Sequence, residues 1–239
     1  MIKLENFSIC FKDKTLLKDV DTSFQSHCLT SLIGRNGSGK STLLKAMCGL
    51  SEDYKGNILI DGENIKKLSH KTLASKIAYV NTRRPRLANL KCHEVVALGR
   101  APYTNWNGKL TGKDQKRIKE AFEMVNMSDY YSRHFNTLSD GESQKIMIAR
   151  AIAQDTEIIL LDEPTSFLDL PTRYELVKLL KYLAHDFGKT IVFSTHELDI
   201  ALKYSDFICL FNSPSLLNLP SEEMMKSPVL SSLFPSISF

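Results

Sequence analysis

The sequence predicts an α/β fold with a mainly parallel sheet, an N-terminal antiparallel β subdomain and a helical subdomain inserted between two core segments. Three observations carry this. Cys28 to Ile33 reads as a short buried strand, runs into the glycine-rich stretch Gly34-Arg35-Asn36-Gly37-Ser38-Gly39, and continues from Lys40 to Met47 as a helix. Two later runs, Ile158 to Leu161 and Thr190 to Ser194, read as mainly apolar strands of the kind a buried parallel sheet uses. Between these core pieces, from about Arg83 to Gln154, β-branched runs almost vanish and helical spacing takes over.

Taken in order, Met1 to Leu4 and Ser8 to Phe11 read as two strands, followed by a turn at Lys12-Asp13-Lys14. Asn57 to Ile60 runs into Asp61-Gly62, a hairpin signal, and Ile77 to Val80 is another short buried strand. Ile118, Ala121, Phe122 and Val125 share one helical face behind the polar start Thr111-Gly112-Lys113-Asp114. Tyr174, Val177, Leu180 and Leu183 mark a second long helix, closed by Gly188. The expected division is a first core segment over 1–82, the helical subdomain over 83–155, a second core segment over 156–211, and an unassigned tail over 212–239.

Composition narrows the class. The 239 residues suffice for a large core, and no apolar run is long enough for a bilayer span. The N-terminus lacks the pattern of a secretory signal. Five scattered cysteines, with no C-x-x-C pair, read as reduced thiols of a cytosolic protein. The net charge of +4 is mild, and the basic knot Arg83, Arg84 and Arg86 reads as a solvated loop, so nothing calls for nucleic acid.

The glycine-rich stretch fits G-x-x-x-x-G-K-[ST], which makes the core that of a P-loop NTPase. Triphosphate oxygens need several backbone N–H groups at once, and residues without side chains let the backbone approach and take positive φ. Gly34, Asn36, Gly37, Ser38 and Gly39 form that cradle. Lys40 supplies a charge to the β- and γ-phosphates, Ser41 a hydroxyl ligand for Mg²⁺, and Thr42 continues into the helix, whose N-terminal dipole faces the phosphates.

Asp162 and Glu163 end the strand Ile158–Leu161 as adjacent carboxylates, the form of a Walker B segment. Asp162 would hold Mg²⁺ through water and Glu163 would polarise the attacking water. Such a pair also suits the start of a helix. His196 follows the strand Thr190–Ser194 at the same sheet edge, where an imidazole reaches a γ-phosphate. In Leu138-Ser139-Asp140-Gly141-Glu142, Ser139 and Glu142 have the spacing of a capping box, and a capped helix start is also an anion site.

In this order, the P-loop, LSDGE, LLDEP, Ser166-Phe167-Leu168-Asp169 and His196 resemble the ATPase subunit of an ABC transporter, over nearly the whole chain to about Leu210. The resemblance implies ATP and Mg²⁺ as ligands, with Phe11 stacked on adenine. Ser139 and Gly141 would contact the γ-phosphate of ATP held by a second copy, and Asp169 would belong to the loop linking the two sites. It further implies separate transmembrane permease subunits, an extracytoplasmic substrate-binding protein, and a place on the cytoplasmic face of the membrane. The segment Glu94 to Tyr103, with Gly99-Arg100-Ala101-Pro102-Tyr103 and then Trp106, is similar to the branch that imports iron–siderophores, haem and cobalamin. Tyr103 and Trp106 could equally be packing residues of the helical subdomain.

The chain departs from the family pattern twice. Asp140 and Glu142 replace Gly and Gln of the usual LSGGQ; both carboxylates are expected to face outward, since inward they would repel a phosphate. Asn81-Thr82 stands where the family has Pro-Gln, so neither residue is assigned as a metal ligand. Two other functions compete with an importer ATPase. A soluble ABC ATPase usually carries paired ATPase units or a coiled-coil insertion, neither of which is seen. A low-turnover regulatory module is opposed by intact Glu163 and His196 and favoured by the missing Gln.

Overall fold

The computed structural model describes residues 1–11, 14–82, 85, 89–105 and 107–234. The basic knot Arg83, Arg84 and Arg86, the turn residues Lys12 and Asp13, and Trp106 lie outside the described residues. The fold is α/β, as the sequence predicts.

The N-terminal sheet contains β1 (Ile2–Phe11), β2 (Lys14–Phe24), β4 (Tyr54–Ile60) and β5 (Glu63–Asn64), ordered β2-β1-β4-β5 and antiparallel throughout. The two expected N-terminal strands are one continuous strand. Its register shifts between Leu4 and Phe7, with Asn6 at φ 46, and such a bulge breaks the alternation read from sequence. Asp61 and Gly62, at φ 51 and 83, form the two-residue hairpin turn between β4 and β5.

The central sheet has the order β10-β9-β3-β8-β7-β6. Its parallel strands are β3 (Leu29–Ile33), β6 (Ile77–Val80), β7 (Ile158–Leu161), β8 (Thr190–Thr195) and β9 (Phe207–Asn212), and β10 (Ser215–Pro220) pairs antiparallel at the edge. Side-chain alternation explains the unbroken apolar runs. Leu32, Leu160 and Val192 join the core shared with the antiparallel sheet and α1 (Lys40–Met47). Ile159, Leu161, Ile191 and Phe193 join the core on the opposite face. Each such side chain, fully buried, stabilises the fold by roughly 1.5–3 kcal/mol.

After α2 (His70–Lys76), the described residues between β6 and β7 include the α-helices α3 (Cys92–Ala97), α4 (Gly112–Met124) and α5 (Asp140–Gln154). Thr111 and Asp114 cap α4 reciprocally, and Ile118, Ala121 and Phe122 are its buried face. The 3-10 turn Leu98–Tyr103 holds the segment singled out above. Arg100 is buried there, paired with Asp114 at 2.8 Å and donating to the Ala153 carbonyl at 2.8 Å. Tyr103 is exposed and lies against the Arg100 guanidinium, 4.1 Å from ring centroid to carbon. Arg100, rather than Tyr103, is therefore the packing residue of this segment.

α6 (Leu170–His185) begins with Pro171 in its first turn and is followed by Gly188 at φ 60. α7 (Leu198–Tyr204) follows His196. The tail without an assignment from sequence is structured through residue 234. After β10 come α8 (Ser221–Met225) and α9 (Pro228–Leu233), whose Met224 and Leu230 pack with Ile33, Leu198 and Leu210 in a small separate core. Among the described residues, no helix is long and apolar enough to cross a membrane.

Candidate active site

Parallel registration brings the motifs together. Ile33 pairs with Thr195, and Leu161 pairs with Phe193, so the segments following β3, β7 and β8 emerge side by side at one sheet edge. An open cleft of about 410 Å³ lies there, lined by residues 36–42 of the P-loop, Glu163, His196, Phe11, Lys14 and Leu16. Phe11, at the end of β1, is 58 % exposed at this cleft, where an aromatic ring can stack on a base.

The loop's glycines meet steric as well as conformational demands. Gly39 sits at φ 115, and a Cβ there would lie 2.9 Å from Leu16 Cδ1 and 3.1 Å from Phe211 Cζ. A Cβ on Gly34 would come within 2.9 Å of Phe211 Cβ. Lys40 Nζ donates to the loop's own carbonyls, Gly34 at 2.9 Å and Arg35 at 3.3 Å. Burial lowers the Lys40 pKa, opposed by the charges of Glu163 and Asp162. The buried Ser38 hydroxyl oxygen has no hydrogen-bond partner among the described residues. A desolvated ammonium and an orphaned hydroxyl in a positive-φ loop are the features of a phosphate cradle, so the residues present fit a triphosphate.

Asp162 is buried, and its Oδ1 accepts from Ser41 Oγ at 3.0 Å and from Ser194 Oγ at 2.7 Å. Ser41 and Asp162 thereby present oxygen ligands to one point, a donor set that suits a hard divalent cation. Glu163 holds the left-handed conformation, φ 46, which costs a non-glycine residue energy and needs a restraint. Ser194 provides it, since its Oγ accepts the Glu163 amide at 2.9 Å. The Glu163 carboxylate accepts from Ser166 Oγ at 3.1 Å, and its other oxygen is 4.0 Å from His196 Nδ1.

Ser139, Gly141 and Asp169 are elsewhere. They line a second cleft of about 440 Å³ together with Asp140, Glu142, Tyr130, Phe167 and Leu168. Gly141 allows α5 to approach the loop before α6; a Cβ would lie 3.2 Å from the Phe167 carbonyl oxygen. Ser139 caps α5, accepting the Glu142 amide at 3.2 Å. Asp140 and Glu142 both line this cleft; Asp140 is exposed, whereas Glu142 departs from the outward orientation expected of it. The Glu142 carboxylate turns back onto the cap and accepts from Ser139 N at 2.8 Å and Ser139 Oγ at 2.9 Å. Hydrogen bonds from Tyr130 and then Ser139 lower its pKa. Asp169 is likewise lowered, first by the Thr172 hydroxyl. Thr82 donates through Oγ1 to the Asp162 main-chain oxygen at 2.8 Å. Its hydroxyl is thus tied to the backbone of the acidic segment.

Several site residues escaped sequence reasoning. Ser194 carried a weak signal, a small polar residue within an apolar strand. Lys14 and Leu16 line the first cleft because β2 folds back beside Phe11. Phe211 backs the glycine loop from β9, where the unbroken apolar run Phe207 to Phe211 was the available cue.

A glycine cradle with a buried lysine, a carboxylate pair at the neighbouring strand end and a histidine within reach define a P-loop ATPase. The ABC transporter family matches residues 17–166. The petrobactin import ATP-binding protein YclP of Bacillus subtilis is 37 % identical over 235 residues, covering 98 % of this chain and 92 % of that one. An inward-facing transporter of metal-chelate type superposes with a TM-score of 0.85 at 27 % identity, over 98 % of this chain and 88 % of that one. The dimeric ATP-binding cassette MJ0796, in a post-hydrolysis state with ADP and Pi, gives a TM-score of 0.81 at 29 % identity over 92 % and 99 %. The chain belongs to the ABC transporter ATP-binding family, and it is an ATP hydrolase of that type.

Proposed function

We propose that two copies of this chain drive uptake of a metal chelate through a separate membrane permease. One observation carries the pairing: the motif residues fall into two clefts of similar volume, one with the P-loop and one with the Ser139 helix start. A complete site then needs the second cleft of another copy. The dimeric MJ0796 cassette supports this reading. The chelate reading rests on the petrobactin importer and on the metal-chelate transporter. In it the chain sits at the cytoplasmic face of the membrane, held by permease subunits and served by an extracytoplasmic substrate-binding protein.

In hydrolysis, the residues 34–42 and Lys40 hold the triphosphate while Phe11 stacks on adenine. Ser41, with Asp162 acting through water, would hold Mg²⁺, and the ion would supply charge compensation on the phosphate oxygens. Glu163 accepts a proton from the water that attacks the γ-phosphorus; the bond to the bridging oxygen breaks, releasing ADP and phosphate. His196 donates a hydrogen bond to the transferring group, and Ser139 and Gly141 of the partner copy meet it from the other side. Asp169 belongs to the loop between the two sites.

Glu163→Gln tests this assignment. ATP affinity should stay nearly unchanged, hydrolysis should fall at least about a hundredfold, and an ATP-bound dimer should accumulate on size-exclusion chromatography. Wild-type turnover would remove Glu163 from its role, and a monomer at saturating ATP would remove the pairing.

A further inference from the structure

Glu163 and His196 stand on different loops, one after β7 and one after β8. Arg173, from α6, bridges these loops. Arg173 donates through Nε to the Leu168 carbonyl at 2.8 Å, in the loop that follows Glu163. Its Nη1 bonds Glu197 Oε1, in the residue after His196. The other oxygen of Glu197 accepts from Thr165 Oγ1 at 2.9 Å, so the carboxylate returns to the first loop. The Glu197 amide donates to Thr195 Oγ1 at 3.0 Å, which fixes the backbone around His196. The Glu197 side chain is only 10 % exposed, against 30 % for Arg173.

We propose that Arg173 is a positioning residue for hydrolysis, clamping the Glu163 loop and the His196 loop into one unit through Leu168 and Glu197. A planar guanidinium suits the task because it directs separate N–H groups at two fixed acceptors, whereas an ammonium is a point donor. Without Arg173, a mostly buried carboxylate keeps, among the described residues, only Thr165 as a side-chain hydrogen-bond partner. It turns toward water and carries the backbone beside His196 with it. The Leu168 carbonyl is released at the same time, loosening the loop whose Ser166 hydroxyl steadies Glu163.

The inference rests on the roles proposed for Glu163 and His196. Those roles fail if Glu163→Gln hydrolyses ATP normally, a result independent of Arg173. The clamp itself is tested on the full chain by phosphate release, ATP affinity and thermal melting for Arg173→Ala, Arg173→Lys, Glu197→Gln and the pair Arg173→Ala with Glu197→Gln. Arg173→Ala should lower kcat by roughly 10- to 100-fold, the scale of a displaced catalytic group, with KM and ATP affinity within about threefold. Arg173→Lys should recover only a minor part. The double variant should be no slower than the worse single one, because both break the same link. Glu197→Gln preserves side-chain shape and carries the test if Arg173→Ala does not fold. The proposal is overturned by a kcat within twofold of wild type for Glu197→Gln or a folded Arg173→Ala, by a raised KM at unchanged kcat, or by losses that multiply in the double variant.

Discussion

Ser194→Ala removes one oxygen from the interior of β8 and tests the site's architecture directly. That oxygen donates to Asp162 Oδ1 at 2.7 Å and accepts the Glu163 amide at 2.9 Å, and the residue is 0 % exposed. Water cannot take over either bond without repacking. Leaving the amide unpaired costs about 1–3 kcal/mol, and a hydrogen bond to a charged group is worth about 1.5–3 kcal/mol. Ser41 still serves the same carboxylate oxygen, so part of the second contribution survives. A net loss of about 2–4 kcal/mol follows, which for a chain of this length lowers Tm by roughly 4–16 °C.

The functional effect is separate from the loss of stability. Glu163 occupies φ 46, a conformation worth about 1–3 kcal/mol of strain that its amide bond to Ser194 helps maintain. Once that bond is gone, the backbone relaxes toward ordinary φ and the carboxylate leaves its place beside His196. Turnover should fall at least about tenfold, while ATP affinity, which rests on the untouched P-loop, stays within about threefold. Differential scanning calorimetry, phosphate release and titration calorimetry read these three quantities. A Tm within about 2 °C of wild type together with a kcat within about twofold would refute the reasoning.

Asp114→Asn removes the charge facing buried Arg100 and should cost about 2–4 kcal/mol near neutral pH, measured by urea unfolding. The Thr111 hydroxyl and amide, followed by Arg100, hold the Asp114 carboxyl at about 2, below its ordinary 3.8. A depressed carboxyl stabilises above its unfolded value and loses that contribution as pH falls through its folded one. The gap between wild type and Asp114→Asn should therefore close between pH 3.8 and about 2. Phe11→Ala should weaken ATP binding by about 1–2 kcal/mol of lost stacking without affecting free triphosphate, as titration calorimetry would read. Equal losses for both would take Phe11 off the adenine. Thr82→Gln breaks the bond to the Asp162 carbonyl and offers a longer amide; it should alter ATPase activity more with the permease than without it. Equal effects in both settings would confine Thr82 to local metal chemistry.

What the sequence disclosed follows from how its information is laid out. The P-loop is a continuous stretch, and its glycines, lysine and hydroxyl are spelled by local backbone need. The capping box of α5 is likewise local and was legible as short-range spacing, whereas α4 showed only a polar start that proves to be a capping box. Double-sided burial exposed β7 and β8 as apolar runs. The continuous β1 was harder, because a bulge at Asn6 shifts which side chains face the core. The tail gave no strong period, since β10, α8 and α9 are short and packed by one small apolar cluster.

Contacts that depend on strand registration stayed hidden. Ser194 meets Asp162 because β7 and β8 run parallel with Leu161 opposite Phe193, a relation that no spacing within either strand encodes. Phe211 backs the glycine loop through the pairing of Ile33 with Leu210, and Arg173 reaches Glu197 across the gap between α6 and α7. Glu142 makes the same point in reverse. Its spacing from Ser139 announced a cap, yet electrostatic reasoning about a phosphate turned it outward. In the folded chain the cap prevails, because amide and hydroxyl donors from Ser139 and a further donor from Tyr130 solvate the carboxylate within the cleft. A phosphate arriving at Ser139 must then compete with a carboxylate already holding that hydroxyl. On the proposed pairing, the strength of ATP-driven association would depend on how readily Ser139 exchanges one anion for the other.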